Sequence, residues 1–452
     1  MIISLEWLRD FVDIHEDPHE LSNILSDIGL EAEQTDSTID ILGVVIAKVE
    51  STEKHPNADK LKVCILNDGS DKHQVICGAP NVQAGQIVPL AKIGSILPGD
   101  FKIKKVEIRG VESNGMICSE QELRISEDHD GIMVLPNNLA LGQDFKSAYG
   151  YKFDSLEIDI TPNRSDAFSH YGVARDIACA TERKLKEIKT KFIPQNNGLT
   201  IPISTESIED CPRYIGGIIK NITVGPSPDW LVKKLKFAGH RSINNVVDIS
   251  NYVMLEMGHP THIFDYNKIS NKEILIRRAK KNEPITTLDG QNFKLNKENL
   301  VITDGKNPIA LAGIMGGKGS SINENTTEVF VESAYFNPIT IRKGSKILSL
   351  LTDASKRFER GADPNGCLDA FCRVVSLLKE LTGGEFISEI MDFYPNPIKE
   401  LNVPLRHSEL ISVLGCNIEK QRIQKILGGL KISYKLKNDI YHCTIPSFRP
   451  DL

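Results

Sequence analysis

The sequence predicts a multidomain α+β protein, and three observations carry that prediction. At 452 residues the chain is roughly three times a usual domain length. Its apolar pattern changes period along the chain, from helical spacing to short β-type runs and back. Its composition, 40% hydrophobic and 25% charged, is that of a globular protein and excludes a disordered, collagen-like or coiled-coil chain.

The elements follow in order. Ser4 can cap a segment with Leu5, Leu8, Phe11 and Val12 at helical spacing, and Asp17-Pro18 opens a second with Leu21, Ile24, Leu25 and Ile28 before Gly29. Residues 1–30 are therefore expected to form a helical hairpin. From Leu42 the runs GVVIAKV, KLKVCIL, HQVICG and QIVPLAKIG, parted by Gly, Pro, Asn and Asp, predict a small barrel. After SLEIDITPNRSDAF, Ser165 can cap a helix whose Ala167, Tyr171, Ala174 and Ala178 share a face, so the barrel interrupts a helical domain. KFIPQNNGLTIP predicts a linker near residue 195.

Residues of about 200 to 395 read as an α+β domain. Ser242 can begin a helix with Val246, Ile249, Val253 and Met257 in register, stopped by Gly258 and Pro260. A second helix follows Pro364, turns Leu368, Phe371, Val375 and Leu378 inward and ends at Gly383-Gly384. EILIRRA, NLVITDG and EVFVESA are strand-like runs between them. A last segment opens with RHSELISVLG, a helix pattern, and continues into YKLKNDIYHCTIPSFRPDL.

Composition also narrows the function. No apolar run approaches the roughly 18 residues that span a bilayer, and Glu6, Arg9 and Asp10 interrupt any secretory signal. The nine cysteines are scattered and include no CxxC pair, which argues against a zinc ribbon or a disulfide framework and for reduced, mostly buried thiols. A cytoplasmic protein without a membrane partner is expected. The net charge of -6 confines any nucleic-acid contact to local patches.

One such patch is the barrel region, where Lys48, Lys54, Lys60, Lys62, Lys72, Lys92, Lys102, Lys104, Lys105 and Arg109 stand with a single aromatic, Phe101. That favours backbone or shape contacts over base stacking, and a solvated lysine-rich face explains the composition equally well. GHPTHIFD places His259 and His262 around a proline in an expected loop, where they could hold a metal or act as a catalytic imidazole, but with no HExxH helix or third ligand the expected role is a histidine hydrogen-bonded into a turn. ALAGIMGGKGSS lacks the spacing of a Walker A loop, since Gly319 follows Lys318; its glycines suit close backbone approach to a ligand or strand. Glu332, after the run EVFV, is either an exposed carboxylate or a buried one that needs a partner. Thr352, Asp353, Ser355, Arg357, Glu359, Arg360 and Asp363 cluster in LTDASKRFERGADP, which a salt-bridge network would also explain. From the residues alone, the chain is a multidomain protein with a candidate RNA-binding patch and a candidate polar pocket.

Taken together the strings are more specific. SLEWLRDFVD, HPNADKLKVC, GAPNV, VEIRGVESNGMICSEQEL, DITPNRSDAFSHYGVARDIA, RSINNVVDISNYVMLEMGHPTHIFD, ALAGIMGG, VESAYFNP, TDASKRFERGADP and PSFRPDL run in family order across the chain. The chain resembles the β subunit of bacterial phenylalanyl-tRNA synthetase. The resemblance implies a helical and α+β N-terminal domain over residues 1–39 and 152–195, split by a tRNA-binding oligonucleotide-binding (OB) fold over 40–151. It further implies an α+β editing domain over 200–395 and the start of a helical, winged-helix-like nucleic-acid-binding module over 400–452, cut partway.

The same resemblance implies an α2β2 assembly with the α subunit and tRNA(Phe), in which ATP and Mg2+ serve the aminoacylation site on α. The β subunit would bind tRNA and hydrolyse tyrosine wrongly attached to it. Residue by residue, Glu332 matches the group that recognises the tyrosine hydroxyl, and His262 and Arg241 match residues near the ester and the tRNA end. Ser250, Asn251, Gly316, Thr352 and Ala354 match the pocket lining, Ser250 standing where some members have Thr. Lys60, Lys62, Lys102, Lys104, Lys105 and Arg109 are the expected tRNA contacts. Asp451 matches the first of several acidic Mg2+ ligands, and one carboxylate makes a poor site. Two other readings stand beside this one: a structural tRNA-binding subunit without editing, and a free-standing tRNA chaperone made from the barrel.

Overall fold

The computed structural model describes residues 1–34, 41–99, 101–123, 125, 131–148, 155–190 and 198–452. The linker expected near residue 195 lies largely outside the described residues. The chain divides into two compact units, Gln34–Ser155 and a second that joins Met1–Glu33 to Leu156–Leu452. Among the described residues no helix is long and apolar enough to cross a membrane.

Gln34–Ser155 is built on antiparallel strands in the order Gly115–Ile117, Ile87–Leu97, Leu42–Lys54, Lys62–Asn67, Lys72–Cys77. Val45, Ala47 and Val49 alternate along the longest strand and meet Cys64, Leu66, Val75, Val88 and Leu90 in one core, as a period of two requires. The Asn114 amide donates to the Gln74 carbonyl at 2.8 Å, which draws the two ends of the sheet together.

In the other unit the N-terminus departs from the expected hairpin. Ser4 caps Leu5–Leu8, and Asp17 forms a capping box with Glu20 at the start of Pro18–Asp27. The first helix is a single turn, because Ile2–Ser4 is already a strand. That strand and Glu31–Gln34 flank Ser155–Asp159, whose Leu156 and Ile158 point inward while Glu157 and Asp159 point out. The next helix is His170–Ala180, capped by Ser169 rather than Ser165. Ser169 has the extended backbone of an N-cap and accepts from the Gly172 amide at 2.9 Å, whereas Ser165 opens a short 3-10 turn.

Six elements position the site: β1 (Arg213–Lys220), α1 (Asn245–Met257), β2 (Thr261–Asp265), β3 (Glu328–Tyr335), α2 (Asp353–Phe358) and α3 (Gly366–Thr382). β3 runs between β2 and β1, antiparallel to both. Alternation along these strands divides their side chains between two cores. Ile215, Ile219, Ile263, Val329 and Val331 pack on α1 and α3 through Ile249, Val253, Phe371 and Val375. Tyr214, Ile218, Phe264, Phe330 and Ala334 face a second sheet, ordered Ile203–Thr205, Ile274–Arg278, Leu300–Thr303, Pro308–Leu311, Met315–Gly316. The result is helices on one side of β1–β3 and a second sheet on the other. Gly216 and Gly217 of β1 are pressed from both faces: a Cβ on Gly216 would fall 2.3 Å from the Phe330 ring, and one on Gly217 2.6 Å from Phe371.

α1 begins at Asn244, whose side chain accepts from the Val246 and Val247 amides, and ends at Gly258 with φ of 78°. Ser242, expected as the cap, instead donates to the buried Asp248 carboxylate. In α3, Phe371, Val375 and Leu378 turn inward as expected, while Leu368 is exposed and Cys367 takes the inward position beside it. Strands Leu401–Arg406, Ile440–Ile445 and Ser433–Lys437, with two helices, enclose a small core of Ile423, Leu427, Tyr441 and Cys443.

Candidate active site

The register of β2 and β3 makes His262 and Glu332 direct cross-strand neighbours, and that of β1 puts Gly216 on the other side of Glu332. Opposed residues of antiparallel strands have Cβ atoms about 4.5–5.5 Å apart. With no side chain at Gly216, Tyr214 reaches Glu332 diagonally and donates its phenol proton to Oε2 at 2.9 Å. Among the described residues the carboxyl has no other hydrogen-bond partner, and Glu332 lines a cavity of about 590 Å³.

Burial sets the electrostatics. Glu332 is 5% exposed, and desolvation pushes its carboxyl up from 4.5 to about 8, opposed by the Tyr214 hydrogen bond. Tyr214 is wholly buried and held well above its ordinary range for the same reason, with the Glu332 charge adding to it. Near neutral pH the pair therefore carries a protonated carboxyl beside a neutral phenol. His262 faces the cavity, its ring set edge-on to Phe264 with centroids 4.4 Å apart. Burial depresses its imidazole to about 4, so it is neutral at pH 7.

Seven of the expected site residues line this one cavity: Ser250, Asn251, His262, Gly316, Glu332, Thr352 and Ala354. Their sequence spread exceeds a hundred residues, and β2, β3, α1 and the start of α2 bring them together. Two of the hydroxyls are already committed to the fold. Ser250 donates to the Thr261 carbonyl at 2.7 Å, tying α1 to β2, and Thr352 accepts from the Ser355 amide while donating to the Ile314 carbonyl at 2.8 Å. Gly316 is required by the His262 ring, since a Cβ there would lie 2.4 Å from its Cε1.

Arg241 is exposed and outside the cavity lining, where its neighbour His240 stands instead. Tyr214 and the lining residues His240, Thr261 and Leu288 escaped sequence reasoning. Only Tyr214 had a signal, its place on the continuous apolar run of RYIGGIIK, and its partner could not be found without the strand register.

The HxxH pair does not form a joint site. His262 is on a strand rather than in a loop, and His259 lies before it, 2% exposed and lining a separate cavity of about 440 Å³. Neither nitrogen of His259 meets hydrogen-bond geometry, contrary to the expected turn; burial lowers its pKa to about 4, and the backbone of Ala334 acts weakly the other way. Among the described residues no group of three or more His, Cys, Asp or Glu is arranged to hold a metal ion. Asp451 accepts both carboxylate hydrogen bonds from Arg449, at 2.8 and 2.9 Å, so the residues present do not compose a Mg2+ site. In Gln34–Ser155, Lys60, Lys102, Lys104 and Arg109 are exposed, Lys62 donates to the Val82 carbonyl at 2.8 Å, and Lys105 pairs with Glu112 at 2.9 Å.

Three domain families match the chain in order: a tRNA binding domain over residues 44–144, the B3/4 domain over 210–383 and the tRNA synthetase B5 domain over 403–452. Arg241 and the seven expected residues that line the cavity fall within the B3/4 match. Whole-chain similarity is found with phenylalanine–tRNA ligase beta subunits. Those of Syntrophotalea carbinolica and Geobacter sulfurreducens are each 43% identical, and that of Geobacillus kaustophilus 42%, each over 100% of this chain. The chain spans 57–58% of the length of these relatives. An N-terminal fragment of the phenylalanyl-tRNA synthetase beta subunit from Pyrococcus horikoshii matches 66% of this chain and 83% of its own. Its identity is 14% and its TM-score 0.34, too loose a superposition to bear on the fold. With more than two-fifths of its residues identical along its whole length, the chain belongs to the phenylalanine–tRNA ligase beta subunit family.

Proposed function

We propose that this chain supplies tRNA binding and hydrolytic editing of Tyr-tRNA(Phe) to a phenylalanine–tRNA ligase. ATP-dependent aminoacylation belongs to the α subunit of an α2β2 assembly in the cytoplasm, where ATP and Mg2+ serve the intact complex. The observation that carries the editing reading is the buried Glu332 carboxyl opening, beside neutral His262, into one cavity. A pocket made for phenylalanine cannot strongly reject a ligand that only adds a hydroxyl, so selection has to be completed elsewhere. In this cavity a tyrosine phenol would pair with Glu332, whereas phenylalanine would leave the buried carboxyl short of a partner, a cost of roughly 1–3 kcal/mol.

Hydrolysis needs a water oxygen to bond to the acyl carbon while the ester bond to the ribose breaks and a proton passes to the leaving ribose oxygen. The depressed basicity of His262 favours orienting that water through a ring nitrogen over holding its proton. Ser250, Asn251, Gly316, Thr352 and Ala354 shape the cavity, and Arg241 serves from its rim. The barrel contributes tRNA contacts through Lys60, Lys62, Lys102, Lys104, Lys105 and Arg109, with the OB fold assigned to residues 40–151 and editing to 200–395.

Deacylation of Tyr-tRNA(Phe), with Phe-tRNA(Phe) as control, tests the reading on the chain itself. His262→Ala and Glu332→Ala are each expected to slow tyrosine release at least tenfold. Unchanged rates in both would reject this site, and a chain that releases no tyrosine would favour a tRNA-binding subunit without editing.

A further inference from the structure

α2 has a second face. Asp353, Lys356, Arg357 and Arg360 recur at the spacing that puts residues on one side of a helix and its following turn. They line a cleft of about 320 Å³ that shares His240 and Asp353 with the main cavity. The charge in this cleft is not balanced. Arg357 is 3% exposed, donating Nε to the Phe168 carbonyl at 3.1 Å and Nη1 to the Asp353 carbonyl at 2.9 Å, while the nearest carboxylate, Asp353, is 3.8 Å away. Arg360 spends one nitrogen on the Ile160 carbonyl at 2.7 Å and lies over the Phe168 ring at 4.5 Å. Among the described residues Lys356 has no partner. Carbonyls satisfy N–H groups without neutralising charge, and burial depresses Arg357 to about 10, the mark of a cation short of an anion. Against these three cations and the Met1 ammonium, which donates to the Ile158 carbonyl at 2.7 Å, the cleft offers Asp353 and Asp159, with Glu157 acting on Met1 from outside the lining and His240 lowered by burial. Bracing of the 160 and 168 carbonyls accounts for the bonds that the arginines make, but not for Lys356 or for the surplus charge.

We propose that this cleft is a phosphodiester subsite, with Lys356 and Arg360 contacting the phosphate of the nucleotide whose ribose ester is held in the adjoining cavity. The assignment rests on the proposed editing reading for the identity of the ester. It makes the shared His240–Asp353 wall the passage between the reacting end of the substrate and its backbone.

The test is binding, measured by calorimetry on the full chain. The two probes are a 3′-tyrosylamido trinucleotide ending in adenosine and the corresponding 3′-tyrosylamido adenosine, which has no phosphate. The trinucleotide is expected to bind at least tenfold more tightly. K356Q/R360Q should abolish that advantage, leave the nucleoside affinity unchanged, and lower the slope of log affinity against log salt by about 0.7, the value for one phosphate contact on a single strand. Arg360→Lys should restore most of the slope, and Asp159→Asn should tighten the trinucleotide alone. Equal wild-type affinity for the two probes, or an advantage that survives K356Q/R360Q, overturns the subsite. Inorganic phosphate binding as tightly as the trinucleotide also overturns it, in favour of a free-anion site. Because the probes cannot hydrolyse, a chain that binds as expected yet leaves Tyr-tRNA intact keeps the subsite and loses the editing reading.

Discussion

Glu332→Gln should make the folded protein more stable in base. The wild-type carboxyl has an ordinary value of 4.5 and sits near 8 in its buried position. A carboxyl whose pKa is raised by folding favours the native state when protonated. Its contribution is complete below pH 4.5 and is lost as pH rises through about 8. The whole gap, at 1.36 kcal/mol per pKa unit, corresponds to roughly 5 kcal/mol withheld from the folded state above pH 9. Between pH 6 and pH 9 the loss is about 3 kcal/mol. Glutamine keeps the shape and an acceptor for Tyr214 but cannot ionise.

Urea denaturation followed by tryptophan fluorescence suits the measurement, because both tryptophans, Trp7 and Trp230, lie outside Gln34–Ser155 and report on the unit that holds the cavity. The expected result is that the stability of the wild type minus that of Glu332→Gln falls by about 3 kcal/mol between pH 6 and pH 9. Other titrating groups cancel in that difference. Parallel profiles across the range would refute the buried, protonated carboxyl and with it the electrostatic account of the site.

Tyr214→Phe removes the one hydrogen bond that holds Glu332 below its fully desolvated value. The wild-type decline in stability toward pH 9 should steepen in this variant, and the ratio of Tyr-tRNA to Phe-tRNA deacylation should fall up to about tenfold, the worth of one hydrogen bond between neutral groups. Gly316→Ala places a methyl 2.4 Å from His262 Cε1 and 3.0 Å from Leu288 Cδ1. Deacylation should drop at least tenfold while urea midpoints register only the roughly 1–3 kcal/mol of overpacking; a fully active variant would show that the ring position is unimportant.

How much of this was legible in the sequence depended on the range of each interaction. Local signals were sound where one residue type had one local role, as at the Asp17 capping box and the Gly258 stop. They slipped where two suitable residues stood close together: Ser165 and Ser169 both fit a cap, as do Ser242 and Asn244, and backbone conformation decided between them. The N-terminal sheet was missed because its three strands are short and two of them come from segments more than a hundred residues apart. The site was harder still. Alternation left Glu332 either exposed or buried with a partner, and the partner, Tyr214, is 118 residues upstream. Register between distant strands is set by packing of both faces, which no local pattern reports. Family resemblance supplied His262, Glu332 and the lining together, and it offered nothing on Tyr214 or on the charge behind α2.

Under the proposed editing reading, selectivity and the pH dependence of stability are two consequences of one property. An exposed carboxylate could also hydrogen-bond a phenol, but water would replace the missing partner when phenylalanine bound, and little discrimination would result. Only a carboxyl without access to water penalises the missing hydroxyl, and the same lack of water raises its pKa and destabilises its charged form. The position of β3 meets that demand, since its neighbours on both edges and the cores on both faces leave Glu332 one opening, into the cavity. Variants that hydrate the carboxyl should therefore lose discrimination and flatten the pH profile together. Variants that only disturb His262 should lose rate while keeping both.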